Sequence, residues 1–168
     1  MNKDSISRLI GLTLQSVTRA ANMLMLDFGE VREVYCEYRK CLREVNEYAL
    51  HVQANWRIAN YDEQIIKLAS SDMYYPIESM EDDPDFNWDV RGNNLFDEKS
   101  KAWFESAETI IVEDCELNDI GDLTIRFSNN DELYIFADSS SDSELWRLFE
   151  PYSKEKHLVM TGLGLEYH

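Results

Sequence analysis

The chain has 168 residues, of which 44% are hydrophobic, so it is long enough to fold as one domain (1–168) around a core that needs no disulfide or metal for support. It carries 16 basic and 33 acidic residues, a net charge of 16 − 33 = −17. Charge repulsion argues against nonspecific binding to nucleic acid or to an anionic membrane. The negative net charge favours a basic protein as partner, unless the acidity serves only solubility.

The first part of the sequence has the pattern of antiparallel strands. Apolar and polar residues alternate over residues 12–20, and a turn at residues 21–22 leads into residues 23–28, which predicts a hairpin. Residues 30–48 have two interpretations, because their apolar positions fit a helical spacing while several of them also alternate as in a strand. We predict a helix there, inside an enlarged hairpin loop.

The remaining segments extend this pattern. Residues 48–58 and 64–69 predict two more strands, and residues 70–108 predict a long, irregular and acidic connection. Strands are predicted at residues 109–115 and in a hairpin whose turn is at residues 128–131. A short helix is predicted to end at residues 145–149, followed by a closing strand within residues 156–167. The predicted fold is mainly β or α+β, an antiparallel twisted sheet or partly open barrel with one or two short helices.

Two parts of the sequence share an outline. Each contains hairpin-like apolar runs and ends in a Trp-Arg pair, Trp56-Arg57 in the first part and Trp146-Arg147 in the second. The similarity predicts a degenerate internal repeat of residues 12–69 and 109–168, in which the two tryptophans occupy corresponding places.

The cysteines and the apolar runs indicate where the protein is found. Cys36, Cys41 and Cys115 are odd in number and lack paired spacing, so we predict neither a disulfide framework nor a zinc site. The N-terminus has no apolar stretch of signal-peptide length, and no run approaches the roughly 20 apolar residues that span a bilayer. We therefore expect reduced thiols, no membrane association and a cytoplasmic protein.

Three sequence patterns bear on possible sites of chemistry. His51 and His157, with Asp72, could form an acid–base or metal site, but their spacing is not that of metal ligands. Residues 83–94 resemble a calcium-binding loop, although Trp88 stands where such a loop needs glycine and Asn94 where it needs glutamate. No phosphate-binding glycine motif occurs. We predict no metal, no cofactor and no catalytic residue.

The residues that favour binding are arginines, tryptophans and acids. Tryptophan and arginine are enriched at the centres of protein interfaces, although they also form core and rim. Residues 105–144 contain twelve acidic residues and one basic residue, and residues 85–168 carry 7 − 19 = −12 of the net charge. If these acids share one solvent face, they attract a basic partner. The predicted binding residues are Asp119, Asp131, Glu132, Asp142, Glu144, Trp56, Arg57, Trp146 and Arg147.

Three segments carry a resemblance to known sequences. Residues 49–58 (ALHVQANWRI), residues 71–76 (SDMYYP) and residues 144–149 (ELWRLF), with His157-Leu158-Val159, resemble a group of small uncharacterised acidic bacterial proteins. The resemblance extends over nearly the whole chain. Some proteins of this build are encoded in toxin and immunity loci, so the resemblance implies an immunity role without assigning an activity to any residue.

Two hypotheses for function follow. The first is an acidic module that binds and neutralises a basic partner, for example an immunity protein that covers the active cleft of a nuclease toxin. The second is a small-ligand-binding domain or enzyme with a pocket near the Trp-Arg pairs, lined by His51, Trp56, Asp72 and Trp146. The oligomeric state stays open.

Overall fold

A computed structural model describes residues 3–168, and its architecture is mostly β. Strands account for 47% of the residues and helices for 15%, arranged as two antiparallel sheets with one α-helix and short 3-10 helices. The predicted fold class is therefore confirmed. The strands form two separate sheets, and neither closes into a barrel.

The first sheet has six strands and the second has five. The first is ordered β1-β2-β3-β9-β10-β11, with bounds β1 Leu14–Ala20, β2 Met23–Cys36, β3 Cys41–Val52, β9 Glu144–Phe149, β10 Leu158–Thr161 and β11 Gly164–Tyr167. The second is ordered β5-β4-β8-β7-β6, with bounds β4 Trp56–Asn60, β5 Ile65–Ala69, β6 Val112–Leu117, β7 Leu123–Phe127 and β8 Asp131–Ile135. Helix α1 is Leu95–Glu105, and 3-10 helices are Lys3–Leu9, Ser70–Tyr74 and Glu78–Met80.

The two halves of the chain have the same order of connections. Strands β1, β2 and β3 are neighbours in the first sheet, after which the chain crosses to β4 and β5 in the second. Strands β6, β7 and β8 are neighbours in the second sheet, after which the chain crosses to β9, β10 and β11 in the first. At the crossings, Trp146 pairs with Val52 and Trp56 pairs with Ile135. The tryptophans thus occupy equivalent places in the connectivity, while the sequence duplication itself stays a prediction.

One hydrophobic core joins the two sheets. Its members alternate with less buried residues along the strands, as for Leu24, Leu26 and Phe28 of β2, and with polar residues in β8, where Leu133 and Ile135 are buried. This alternation is the pattern that predicted the strands. No helix within residues 3–168 has the length and apolar content to cross a membrane.

The helix predicted within residues 30–48 is wrong. Strands β2 and β3 continue as a two-stranded hairpin beyond their neighbours, because β1 pairs with β2 only as far as Phe28 and β9 pairs with β3 only from Ala49 onwards. We call the projecting part, residues 31–36 and 41–46 with the turn at residues 37–40, the ribbon. The apolar residues of the ribbon fit a helical spacing, but several of their side chains are exposed. Their spacing therefore did not indicate a helix face that packs on a core.

Three smaller predictions also need correction. Residues 145–149 belong to strand β9 and not to a helix, because Leu145, Trp146 and Leu148 are buried between neighbouring strands. The predicted closing strand is a hairpin of β10 and β11. The long connection contains the whole of α1, whose first turn is capped by Asn94: its Oδ1 accepts a hydrogen bond from the amide of Asp97 at 2.9 Å.

A buried arginine fastens α1 to the first sheet. Arg19 of β1 is 3% exposed, and its Nε and Nη2 donate to the two carboxylate oxygens of Asp97 at 2.8 and 2.9 Å. Its Nη1 also donates to Asp89 at 3.2 Å. Burial acts to raise the pKa of Asp97, but the hydrogen bonds from Arg19 and from the amide of Gly92, with the charges of Arg19 and Arg91, together hold that pKa below its usual value. The acidic connection is therefore ordered where it meets β1.

Candidate functional site

The structure places the two predicted tryptophans in the core. Trp56 is 2% exposed and packs edge-to-face on Phe96 of α1. Trp146 is fully buried, and its Nε1 donates a hydrogen bond to the carbonyl of Gly121 at 3.0 Å. A partner cannot touch either ring while the protein is folded, so both are structural residues and the prediction that they contact a partner needs correction.

The predicted acidic residues do not form one surface. Asp131 is 3% exposed and accepts hydrogen bonds from Trp103 Nε1 at 2.6 Å and from Asn60 Nδ2 at 2.8 Å. Glu132, half-buried on the next position of β8, accepts a hydrogen bond from the Tyr134 hydroxyl. Glu144 lies in the other sheet. The expectation of a shared solvent face is therefore wrong for Asp131 and Glu144.

The other predicted acids are exposed but separate. Asp119 lies in the connection between β6 and β7, and Asp142 lies in the connection between β8 and β9. Asp131 is thus a core residue that accepts a hydrogen bond from the tryptophan of α1, and Asp119 and Asp142 are the exposed acids of the predicted set.

The two predicted arginines differ in their surroundings. Arg147 of β9 donates to Glu144 through both Nε and Nη2, and its Nη1 lies 3.1 Å from His157 Nδ1. Arg57 of β4 has no hydrogen-bond or ion-pair partner in residues 3–168, and its Nε is buried. Its guanidinium lies over the rings of Tyr134 and Phe136, with its carbon 5.4 Å from each ring centre. Arg57 is thus available to an external anion, and Arg147 is already paired.

The histidines pack together on the outer side of the first sheet. His51 contacts Phe149 edge-on at 4.8 Å between ring centres, and His157 stacks on the same ring at 4.7 Å. Burial lowers the pKa of both imidazoles. Asp72 is elsewhere: its carboxylate accepts from the amide of Ala69 and caps a 3-10 helix. The pocket predicted from His51 and Asp72 with the two tryptophans is not formed.

The residues described by the structure contain no group of three or more His, Cys, Asp or Glu side chains placed to hold a metal ion. In the segment that resembles a calcium loop, oxygen atoms of Asp83 and Asn87 accept hydrogen bonds from the amides of Asp85 and Asp89. These are local turns in which a side chain bonds to the backbone two residues later. The segment is an ordered connection built from turns.

The ribbon carries several exposed apolar side chains. Its strands pair in the register Val31 with Asn46, Glu33 with Glu44, and Tyr35 with Leu42. These six residues share one side, which we call the free face, because alternate residues of a strand point to the same side. Val31, Tyr35 and Leu42 are 57%, 53% and 63% exposed, and Tyr38 in the turn is 93% exposed.

The opposite side of the ribbon is covered. It carries Arg32, Val34 and Cys36 from β2, and Arg43 and Val45 from β3. Arg32 Nη2 donates to the carbonyl of Pro151 at 3.2 Å, and Arg43 Nη1 donates to the hydroxyl of Tyr152 at 3.3 Å. The connection between β9 and β10 therefore supports this side, and the free face is the one that stays open to solvent.

The two faces of the ribbon carry opposite charge. The arginines 32 and 43 lie on the covered side, while Glu33 and Glu44 lie on the free face and oppose each other directly across the strand pair. Neither glutamate forms an ion pair with any residue in the described range 3–168. Like charges placed directly opposite destabilise a strand pair. The free face thus has two unpaired carboxylates between apolar side chains.

Two cavities among the described residues bear on the small-ligand hypothesis. A groove of about 440 Å³ lies between β1 and α1, lined by Val17, Phe96 and Phe104 together with Arg91 and Lys101. A hollow of about 280 Å³ lies beside Arg57, lined by Tyr61, Ile65 and Ile66. The hollow is the one that adjoins a Trp-Arg pair, as the second functional hypothesis expects, but the arginine and not the tryptophan lines it.

The ribbon is the candidate site that sequence reasoning missed. The signal was present, because residues 34, 36 and 38 alternate as in a strand, but the helical spacing was preferred. The chain was also compared with known proteins. No protein-family model matches it, and neither a curated protein nor a solved structure matches it significantly.

Proposed function

We propose that this protein binds a basic protein partner through the free face of the ribbon. The observation that carries the proposal is the unpaired Glu33–Glu44 couple, flanked on one side by Val31 and on the other by Tyr35 and Leu42. Exposed apolar side chains with two negative carboxylates between them form a surface suited to a partner with apolar and basic residues.

The energetic reason lies in the repulsion between the two glutamates. A lysine or arginine from a partner placed between the carboxylates converts a destabilising pair into charge-assisted hydrogen bonds. The neighbouring tyrosine and leucine then supply apolar area that excludes water from that contact, which strengthens it. The net charge of −17 adds attraction at longer range and raises the rate of encounter with a cationic protein.

A toxin-neutralising immunity protein is the specific form of this function that the sequence resemblance implies. In that form the ribbon enters the cationic cleft of a nuclease, and the glutamates take the place of substrate phosphates. The projection of the ribbon beyond the first sheet supports this form, because a projecting hairpin reaches into a concave site that a flat sheet cannot enter.

Charge reversal on the free face should separate this surface from the acidic surface predicted from the sequence. We expect Glu33→Lys with Glu44→Lys to slow association with the partner by at least about tenfold, because rim and centre charges both act on the encounter. The partner is first isolated on the wild-type protein from cells of the source organism. Association rates are then measured by surface plasmon resonance at two salt concentrations.

The matched control is Asp119→Lys with Asp142→Lys, which changes the net charge by the same amount at two exposed acids of the second half. We expect this control to slow association by less than about threefold, and raised salt to slow wild type more than the free-face variant. Equal slowing by both variants would mean that only the overall charge matters. Slowing by the control alone would place the contact in the second half and reject the ribbon.

A second candidate function is supported by Arg57. A half-buried guanidinium without a counter-ion, held by Tyr134 and Phe136 beside an apolar hollow, is suited to a small molecule that carries a carboxylate on an apolar body. N-acetyl-leucine is an appropriate probe, and N-acetyl-leucinamide is its uncharged counterpart.

We expect N-acetyl-leucine, and not its amide, to shift the Arg57 Nε–H resonance in a saturable way. Arg57→Met should abolish binding of the probe. Arg126→Met is the control, since Arg126 lies in the same sheet but is already paired with Asp114 at 3.3 Å. Equal shifts with acid and amide, or none with either, would remove the small-ligand hypothesis.

A further inference from the structure

Two cysteines that are five positions apart in sequence face each other in the ribbon. Cys36 ends β2 and Cys41 begins β3, and the two residues are paired directly across the strands. Directly opposed residues of antiparallel strands have Cα atoms about 4.5–5.5 Å apart. Disulfides join cysteines whose Cα atoms are about 4.4–6.8 Å apart, so the backbone already has the spacing that a disulfide requires. Both thiols are free in the structure.

The two thiols differ in accessibility and in their surroundings. Cys41 is exposed, whereas Cys36 is covered by its neighbours at the end of the ribbon. The backbone amide of Arg39 lowers the pKa of Cys36, and the Tyr152 hydroxyl, the amide of Tyr38 and the charge of Arg43 act in the same direction against the effect of burial. The sulfur of Cys41 is therefore open to a reagent, and the thiolate form of the neighbouring Cys36 is stabilised.

The third cysteine provides an internal contrast. Burial, with a smaller contribution from the charge of Asp114, raises the pKa of Cys115 to about 12. The thiolate is the reactive form of cysteine, so Cys115 is held in the unreactive thiol form at neutral pH. Cys115 also lies in β6 of the second sheet and has no cysteine opposite it, because its cross-strand partner is Ile125.

We propose that Cys36 and Cys41 form a peroxide-reactive pair, which hydroperoxides convert into a cross-strand disulfide at the end of the ribbon. Cys41 is the sulfur that the peroxide reaches, and Cys36 is the thiolate that closes the bond. The proposal does not depend on the identity of a partner, because it uses only residues of the ribbon and the tyrosine that supports it.

The reaction balances with one equivalent of peroxide. The Cys41 thiolate attacks the peroxide, its O–O bond breaks, and the sulfur becomes a sulfenic acid while the other oxygen leaves and is protonated to water or an alcohol. The Cys36 thiolate then attacks the Cys41 sulfur, and the S–S bond forms as the S–O bond breaks and water leaves. Two thiols are oxidised by two electrons in total, and the peroxide takes up both.

The sequence between the two cysteines makes the product easy to identify. Trypsin cleaves after Arg32, Arg39, Lys40 and Arg43, so the disulfide links the peptides 33–39 and 41–43, which separate only on reduction. The full chain is reduced, desalted and treated with an equimolar amount of hydrogen peroxide, and the peptides are then identified by mass spectrometry. We expect a loss of about 2 Da in the intact chain and the linked peptides as the main product.

Three variants complete the test. Cys115→Ser should give the linked peptides as wild type does, while Cys36→Ser should give a Cys41 sulfenic acid that dimedone traps and no intramolecular disulfide. Cys41→Ser should lose Cys36 thiol at least about tenfold more slowly than wild type, because the exposed sulfur is gone. The proposal is overturned if peroxide consumes Cys115 as fast as Cys36 and Cys41. It is also overturned if the disulfides formed are mainly between chains.

Discussion

Replacing Trp146 with alanine is expected to lower the free energy of unfolding by about 3–5 kcal/mol, as for other large aromatic side chains removed from a core. Trp146 is fully buried, and it lies in β9, which pairs with β3 on one side and β10 on the other. The variant would leave a large cavity in the middle of the first sheet. It would also remove the donor that satisfies the carbonyl of Gly121.

Denaturant unfolding of phenylalanine variants separates packing from hydrogen bonding. Trp146→Phe and Trp56→Phe remove the same atoms, but the Nε1 of Trp56 has no hydrogen-bond partner whereas that of Trp146 does. We expect Trp146→Phe to be more destabilising than Trp56→Phe by about 1 kcal/mol, the net value of one hydrogen bond. Equal losses would show that the bond to Gly121 contributes nothing. Trp88→Ala, in the half-buried connection, is the control for a partly exposed tryptophan.

Asp131→Leu is the substitution expected to have the next largest effect, a loss of about 3–5 kcal/mol. Leucine keeps the branched shape but leaves Trp103 Nε1 and Asn60 Nδ2 without their acceptor inside the core. Each unsatisfied buried donor costs about 1–3 kcal/mol. The sequence placed Asp131 among the acids that contact a partner, and its burial makes that expectation wrong.

The comparison for this prediction is Asp142→Leu, which makes the same chemical change at an exposed acid. We expect it to alter the free energy of unfolding by less than about 0.5 kcal/mol. Chemical denaturation followed by tryptophan fluorescence measures both variants. If Asp131→Leu were no more destabilising than Asp142→Leu, the hydrogen bonds from Trp103 and Asn60 would not be important for the stability of the core.

Local turn chemistry made much of the fold predictable. The hairpin of β7 and β8 was evident because Ser128-Asn129-Asn130-Asp131 separates two alternating apolar runs, and Asn130 adopts a positive φ of 63° in that turn. The ribbon turn at residues 37–40 has no glycine, proline or asparagine, so no turn signal contradicted the helical interpretation. The mostly β class could therefore be predicted, but the length of the central hairpin could not.

The candidate site was harder to predict because it depends on register and on which side is covered. The sequence shows that Glu33 and Glu44 are acidic, but it does not show that they are opposed, since that follows from the pairing of Tyr35 with Leu42. The uneven charge directed attention to the second half. There Asp131 is buried and Glu144 is paired with Arg147, so the acids that composition favoured are partly used inside the fold.

The same limit applies to the cysteines. Spacing in sequence indicated no disulfide, because Cys36 and Cys41 match no common motif. Their opposition is visible only once β2 and β3 are known to be a continuous ribbon that turns at residues 37–40. A helix over the same residues would have pointed the two side chains in different directions.

Amide hydrogen exchange in the complex with the isolated partner tests the central proposal most directly. If the free face is the contact surface, residues 31–35 and 42–46 should exchange at least about tenfold more slowly in the complex, because their amides close into a covered interface. The connections that hold Asp119 and Asp142 should exchange at the same rate with and without partner. Protection at those two connections, with the ribbon unchanged, would contradict the proposal and return the contact surface to the acidic second half of the chain.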